Sequence, residues 1–207
     1  MVNGAEELMT DSRPGPERVS AFSDAFIAVI MTIMVLELKA PAEPTFSALL
    51  PLWATATSYT VSFWFIAVVW INHHHLLHYA QTATPRLIWV NFAHLFAVSF
   101  VPFTTMWMAD THLAGVAVSF YAGVFWLVNL TYFWLIVEMF SGNTMKNVSG
   151  GVRRRMHIRS LCTLAIFGVA MLLAPTFPIV GLALTCSCLF FYLRPEAPDP
   201  WLLKTSG

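Results

Sequence analysis

The stretch that decides the fold is residues 18–38, RVSAFSDAFIAVIMTIMVLEL. Apart from Asp24 and its two ends it is almost wholly apolar. A bilayer core of roughly 30 Å takes about 20 apolar residues as a helix, so this stretch has the length and character of a membrane span. Asp24 is costly there, because an ionised carboxylate at mid-span is disfavoured by roughly 2.5–3.5 kcal/mol on insertion scales. It needs a partner or a water-filled neighbour. Arg18 lies nearby, but helix neighbours stand three or four residues apart, so Arg18 and Asp24 are expected to find partners on other helices. Two roles suit Asp24, a buried polar anchor that fixes packing or a direct ion ligand, and the anchor is favoured.

A second pattern runs further along the same helix. Val29, Thr32 and Leu36 fall at i, i+3 and i+7 and share one face, with Ile33 on its border. Asp24 lies well over a right angle away. One side of the helix is thus suited to packing through Ser23 and Asp24, and the other to presenting apolar residues around a hydroxyl. On pattern alone, such an apolar stripe reads as packing or lipid contact more readily than as a pore.

The rest of the chain agrees with a membrane setting. It has 207 residues, 57% hydrophobic and 11% charged, where soluble domains average roughly 45–50% and about 25%. Further apolar spans are expected at 47–71, 87–108, 113–140, 156–174 and 177–193, which makes six with the first at 19–38. Pro175 and Pro178 divide the last two, because proline interrupts the helical hydrogen-bond ladder. Both read as slightly short, which calls for snorkelling or local thinning. The polar, acidic residues 1–17 lack the features of a cleavable signal peptide and read as a disordered tail. Residues 194–207, with Pro195, Pro198 and Pro200, read as an irregular one. That leaves 18–193 as a single membrane domain.

Charge placement orients the spans. With a cytoplasmic N-terminus, that side holds Arg13, Arg18, Arg86, Lys146, Arg153, Arg154, Arg155, Arg159, Arg194 and Lys204, and the other side holds Lys39 alone. This satisfies the positive-inside rule and, with six spans, puts both termini in the cytoplasm. Arg153 to Arg155 also suit anionic lipid headgroups. The net charge of zero gives no argument for nucleic acid. Cys162, Cys186 and Cys188 sit in apolar runs and read as reduced thiols, not a disulfide framework or a metal site.

His73, His74, His75 and His78 form the most conspicuous cluster, with His74 and His78 at i, i+4. A membrane di-iron enzyme needs several histidine pairs, and His94 and His157 stand alone, so no enzyme is expected. The cluster reads as interfacial, with one member packed against the first helix. Histidine titrates near pH 6.5 when unperturbed, so a pH effect on transport is a hypothesis.

Three motifs carry a family resemblance. Arg18-x-x-x-Phe22-Ser23-Asp24, Trp70-x-x-His73, and Asn91 followed by Phe100-Val101-Pro102-Phe103-Thr104 occur in order. They resemble the signatures of the transmembrane protein 175 family, the endosomal and lysosomal potassium channels with bacterial relatives. Length and layout resemble a bacterial single-repeat member. The resemblance implies an all-α, homotetrameric potassium channel of the cell membrane, multi-pass, with a central pore lined by the first helix. It implies that Val29, Thr32 and Leu36 line that pore, Val29 standing where the family usually has a bulkier Leu or Ile. It also implies a structural polar network of Arg18, Ser23, Asp24, His73 and Asn91, with Phe22 beside it. No cofactor or metal is implied, only potassium as the permeant ion. No TVGYG-like filter occurs in the chain, so modest discrimination of potassium over sodium is expected. A secondary transporter is the alternative, although no internal repeat is visible.

Overall fold

The computed structural model describes residues 15–141 and 150–192, so the two expected tails lie almost wholly outside the described residues. Within the described residues the chain is all helical. The first helix, α1, spans Pro16–Leu36. It starts slightly before the expected span because Gly15 and Pro16 make a ready start: Pro at the first position lacks an N–H that would be unpaired anyway. Glu17 in the first turn also favours the positive helix end.

After α1 the chain runs to a 3₁₀ segment, Phe46–Leu52, which leads straight into α2, Trp53–His78. Here the sequence reading is corrected: α2 ends at His78, not at residue 71. The histidines look like the end of an apolar run, yet they occupy the last two turns of the helix, where the bilayer interface admits polar side chains. Next come α3, Pro85–Ser99, and α4, Val101–Asp110. Thr84 caps α3 by accepting the Leu87 N–H at 3.1 Å. The expected third span is thus broken near its middle. Pro102 has no N–H for the carbonyl of Val98, which explains a break at this place. Together α3 and α4 still cover Pro85–Asp110 as one crossing.

His112 and Leu113 then take positive φ values of 50° and 63°. This left-handed turn reverses the chain, and the Leu113 N–H closes it on the Met108 carbonyl at 2.9 Å. Helix α5 spans Gly115–Met139, α6 spans Gly150–Leu173 and α7 spans Pro178–Tyr192. The turn between the last two holds Pro175, as expected. The expectation that both would be short holds for α7 alone, since α6 has 24 residues. Counting α3 and α4 together, six helical segments pack in one bundle. Five of the segments are long and apolar enough to cross a membrane, and the protein is a multi-pass membrane protein.

Helix α5 is the centre of the bundle, touching α3, α4, α6 and α7. Its Tyr121, Phe125, Leu135 and Ile136 are fully buried. Phe125 forms a triangle of rings with Phe65 of α2 and Phe167 of α6, whose centroids lie 4.0 and 6.1 Å from its own. Helix α1 sits at the edge, against α2, α3 and α4. All three cysteines are free.

Close backbone packing holds α5 to the α6–α7 turn. A side chain on Gly115 would stand 2.6 Å from the Pro175 carbonyl oxygen and 2.7 Å from that of Ala174. Gly115→Ala is therefore expected to lower stability by about 1–3 kcal/mol, read as a lower melting temperature in detergent. Gly151→Ala, where nothing lies within 4 Å, should leave the transition in place.

Candidate pore helix and its polar contacts

Helix α1 buries one side only. Ser23, Ile27, Ile30 and Met34 are its buried residues, at i, i+4, i+7 and i+11, one stripe of a 3.6-residue helix. The opposite side is open in the single protomer: Val29 is 55% exposed, Ile33 41% and Leu36 82%. Thr32 is exposed between them, and Ala21, Ala25 and Ala28 are small residues on the open side. The Thr32 hydroxyl donates to the Val29 carbonyl at 2.7 Å. Its proton is thereby committed to the helix, while the oxygen keeps lone pairs for another group. An open groove of about 510 Å³ runs between α1 and the α3–α4 break, lined by Val29, Ile33, Pro102, Phe103 and Met106 among others.

The buried side is held by hydrogen bonds whose directions can be followed one by one. Ser23 Oγ donates to the Val19 carbonyl at 2.8 Å. It is then free to accept, and Asn91 Nδ2 donates to it at 2.9 Å. That leaves Asn91 Oδ1 as an acceptor for His73 Nε2 at 2.7 Å, so His73 carries its proton on Nε2. Ser23, His73 and Asn91 are all buried. One residue each from α1, α2 and α3 therefore meets in a single chain of bonds. Behind it His73 stacks parallel on His94, with ring centroids 5.3 Å apart. His94 Nδ1 in turn donates to Thr131 of α5 at 3.1 Å.

Asp24 makes a separate set of contacts. Its Oδ1 accepts from Trp70 Nε1 at 2.8 Å, and its Oδ2 pairs with His74 Nδ1 at 3.0 Å. Its partners do come from another helix, but they are not His73 and Asn91. Adjacent helix residues point about 100° apart, so Ser23 and Asp24 face different neighbours. The structure thus resolves the expected single network into two. Trp70 and His74 as partners of Asp24 were missed, although their i, i+4 spacing on α2 put both on one face. Phe22 is half exposed and packs edge-on against Phe92 at 5.6 Å. Arg18 is exposed and makes no side-chain hydrogen bond or ion pair among the described residues. The structure therefore does not bring it to either set within this chain. Its spacing from Leu36 places it on the open side of α1.

A bundle of spanning helices whose first member is pinned along one stripe and left bare along the other defines a multi-pass helical membrane protein with one unpartnered helix face. Residues 18–102 match the family described as "Endosomal/lysosomal potassium channel TMEM175". This is the family that the three motifs resemble, and the match lies within the first half of the chain. A potassium channel from Chryseobacterium sp. (strain P1-3) is 38% identical over 97 residues, 47% of this chain and 50% of that protein. A potassium channel from Chamaesiphon minutus (strain ATCC 27169 / PCC 6605) is 34% identical over 124 residues, 56% of this chain and 61% of that protein. The chain thus spans about half the length of the curated relatives it matches. The fold is that of the crystal structure of a lysosomal potassium-selective channel TMEM175 homolog from Chamaesiphon minutus. The TM-score is 0.78 at 24% identity, covering 88% of this chain and 98% of that one.

The two bond sets differ in what their loss should cost. Asn91→Ala strands the buried His73 N–H and the Ser23 oxygen together, and is expected to lower stability by about 1–3 kcal/mol. Arg18→Ala should change it by less than about 0.5 kcal/mol. Thermal melting of the two variants side by side in detergent checks both.

Proposed function

We propose that the protein is a potassium-permeable cation channel of the cell membrane, formed by identical copies whose first helices surround a central pore. The observation that carries this reading is the bare stripe of α1. Val29, Thr32, Ile33 and Leu36 are exposed on a helix whose other side is fixed by buried hydrogen bonds. One copy of α1 encloses nothing, but a closed cyclic assembly turns each of these residues into a ring. A tetramer is the assembly this reading adopts, from the likeness to the family.

In such an assembly the Leu36 and Val29 rings constrict by narrowness and dewetting. The Thr32 ring lies between them. Its oxygens, with their protons given to the Val29 carbonyls, offer lone pairs that replace part of an ion's hydration shell. Side-chain hydroxyls and methyl groups are a softer filter than rings of backbone carbonyls, so preference for potassium over sodium is modest. Val29 is smaller than leucine and leaves its ring the wider of the two. The charge distribution supports cytoplasmic termini. Arg153, whose guanidinium lies 5.4 Å from the Phe140 ring centre, stands with exposed Arg154 and Arg155 where anionic headgroups would meet them. No cofactor has a part in conduction of this kind.

One observation favours a carrier instead: the span Pro85–Asp110 is broken at Phe100, and broken helices mark many secondary transporters. Discrete single-channel current steps in a planar bilayer support the channel, whereas saturable flux without steps supports the carrier. In liposomes with an imposed potassium gradient, Leu36→Ala is expected to raise permeability to larger cations several-fold. Thr32→Val should bring the potassium and sodium permeabilities closer together. Wild-type values from both variants would argue against α1 as the pore lining.

A further inference from the structure

The contacts of Asp24 leave one feature that conduction does not use. We infer that His74 and His78, with Asp24 behind His74, form a site for a borderline divalent transition-metal ion of the Zn²⁺ class. The site lies in the crevice between α1 and α2, and the inference is independent of the channel reading.

Geometry and tautomer both favour it. His74 and His78 stand at i, i+4 near the end of α2, on one face, with near-parallel rings and centroids 6.4 Å apart. The i, i+4 spacing on one helix face is that by which two histidines of a helical His-x-x-x-His pattern hold one metal ion. Ordinary interfacial histidines lack the next element. The Nδ1 of His74 is committed to Asp24 Oδ2 at 3.0 Å, and an ionised carboxylate only accepts. The proton is therefore on Nδ1, and Nε2 holds the free lone pair. The other carboxylate oxygen is held by Trp70 Nε1 at 2.8 Å, so the carboxylate that orients the ring is itself clamped. A carboxylate–histidine–metal line of this kind fixes the tautomer and raises ligand basicity.

The surroundings have room and charge for a cation. A crevice of about 330 Å³ opens at this point, lined by Glu17, Ser20, Asp24, His74 and His78 among others. His74 is 42% exposed and Asp24 28%, so an ion reaches the site from solvent. Among the described residues, no three His, Cys, Asp or Glu side chains stand ready as a metal cage. The site is thus a reversible two-histidine one, completed by water or by Glu17, which lies two turns before Asp24 on α1. Imidazole pairs of this type suit Zn²⁺, Cu²⁺ and Ni²⁺. Binding would tighten the hold of α2 on Asp24, and so on the end of α1 nearest the N-terminus.

The test uses the full chain, without a histidine tag, in lipid nanodiscs. Calorimetric titration with ZnCl₂ is expected to show one saturable site per protomer. His78→Ala and His74→Ala should each abolish saturation in the range where the wild type saturates, and His75→Ala should not, because His75 is not turned to Asp24. Asp24→Asn should weaken binding by about ten- to a hundredfold, the usual effect of removing an orienting partner. Cu²⁺ bound in place of Zn²⁺ should show two coordinated ring nitrogens in its electron paramagnetic resonance spectrum, and one after His78→Ala. His78 is exposed, so that variant should fold like the wild type. No saturable binding, wild-type affinity in His78→Ala, or loss of the site in His75→Ala would each overturn the inference.

Discussion

The amide of Asn91 is the point on which the arrangement of α1 depends. Inside a bundle surrounded by lipid, a polar side chain that is not paired has no water to turn to, and each unpaired group costs free energy. Asn91 resolves this for three helices at once. Its nitrogen donates to Ser23 of α1 and its oxygen accepts from His73 of α2. The arrangement works in one direction only, because Ser23 has already given its proton to Val19. Rotating α1 about its axis would break the Ser23 bond and move Ile27, Ile30 and Met34 out of the core. Direction and packing together fix which side of α1 faces inward, and hence which side is left bare.

Much of this was legible in the sequence, because a helix is periodic. The stripe of Val29, Thr32 and Leu36 follows from 3.6 residues per turn, and the structure leaves all three residues exposed. The helical class and the six helical segments follow from the length of the apolar runs, although only five of the segments are long and apolar enough to cross a membrane. What periodicity does not give is the partner across a helix–helix contact. Ser23 and Asp24 are adjacent in the chain, and nothing in their spacing says that one meets Asn91 and the other Trp70 and His74. The end of α2 was also hidden. Hydropathy falls at the histidines, but the helix continues through them, since the interface tolerates polar side chains where the hydrocarbon does not. The break at Phe100 has a visible cause in Pro102, yet proline at that place is as compatible with a kink as with a break.

The two halves of the chain contribute differently. The family match covers residues 18–102, and this first half contains α1, both bond sets and the α3–α4 break. The second half builds the support. Helix α5 spans the centre and holds α3 through the His94–Thr131 bond. Its packing on α6 and α7 is made by aromatic rings and close backbone approach. Such packing constrains volume and shape more than residue identity, so a similar fold can persist at low identity.

The bare side of α1 has to face something, and the choice is between lipid and other copies. Lipid accepts Val29, Ile33 and Leu36 without penalty. It offers nothing to the alanines at 21, 25 and 28, which leave a shallow strip along the helix, or to the charge of Arg18 on the same side. Small residues on a membrane helix let a second helix approach closely. Symmetric copies brought together along this strip would set the Arg18 side chains at the mouth of the assembly, in water, and the Thr32 oxygens in its interior. A helix that is rigidly held on one side is suited to this, because rings of side chains act as a constriction only if every copy holds the same rotation. The buried chain from Val19 through Ser23 and Asn91 to His73 fixes the rotation of α1, so in the proposed assembly a packing interaction on one side of the helix would set the width of the aperture on the other.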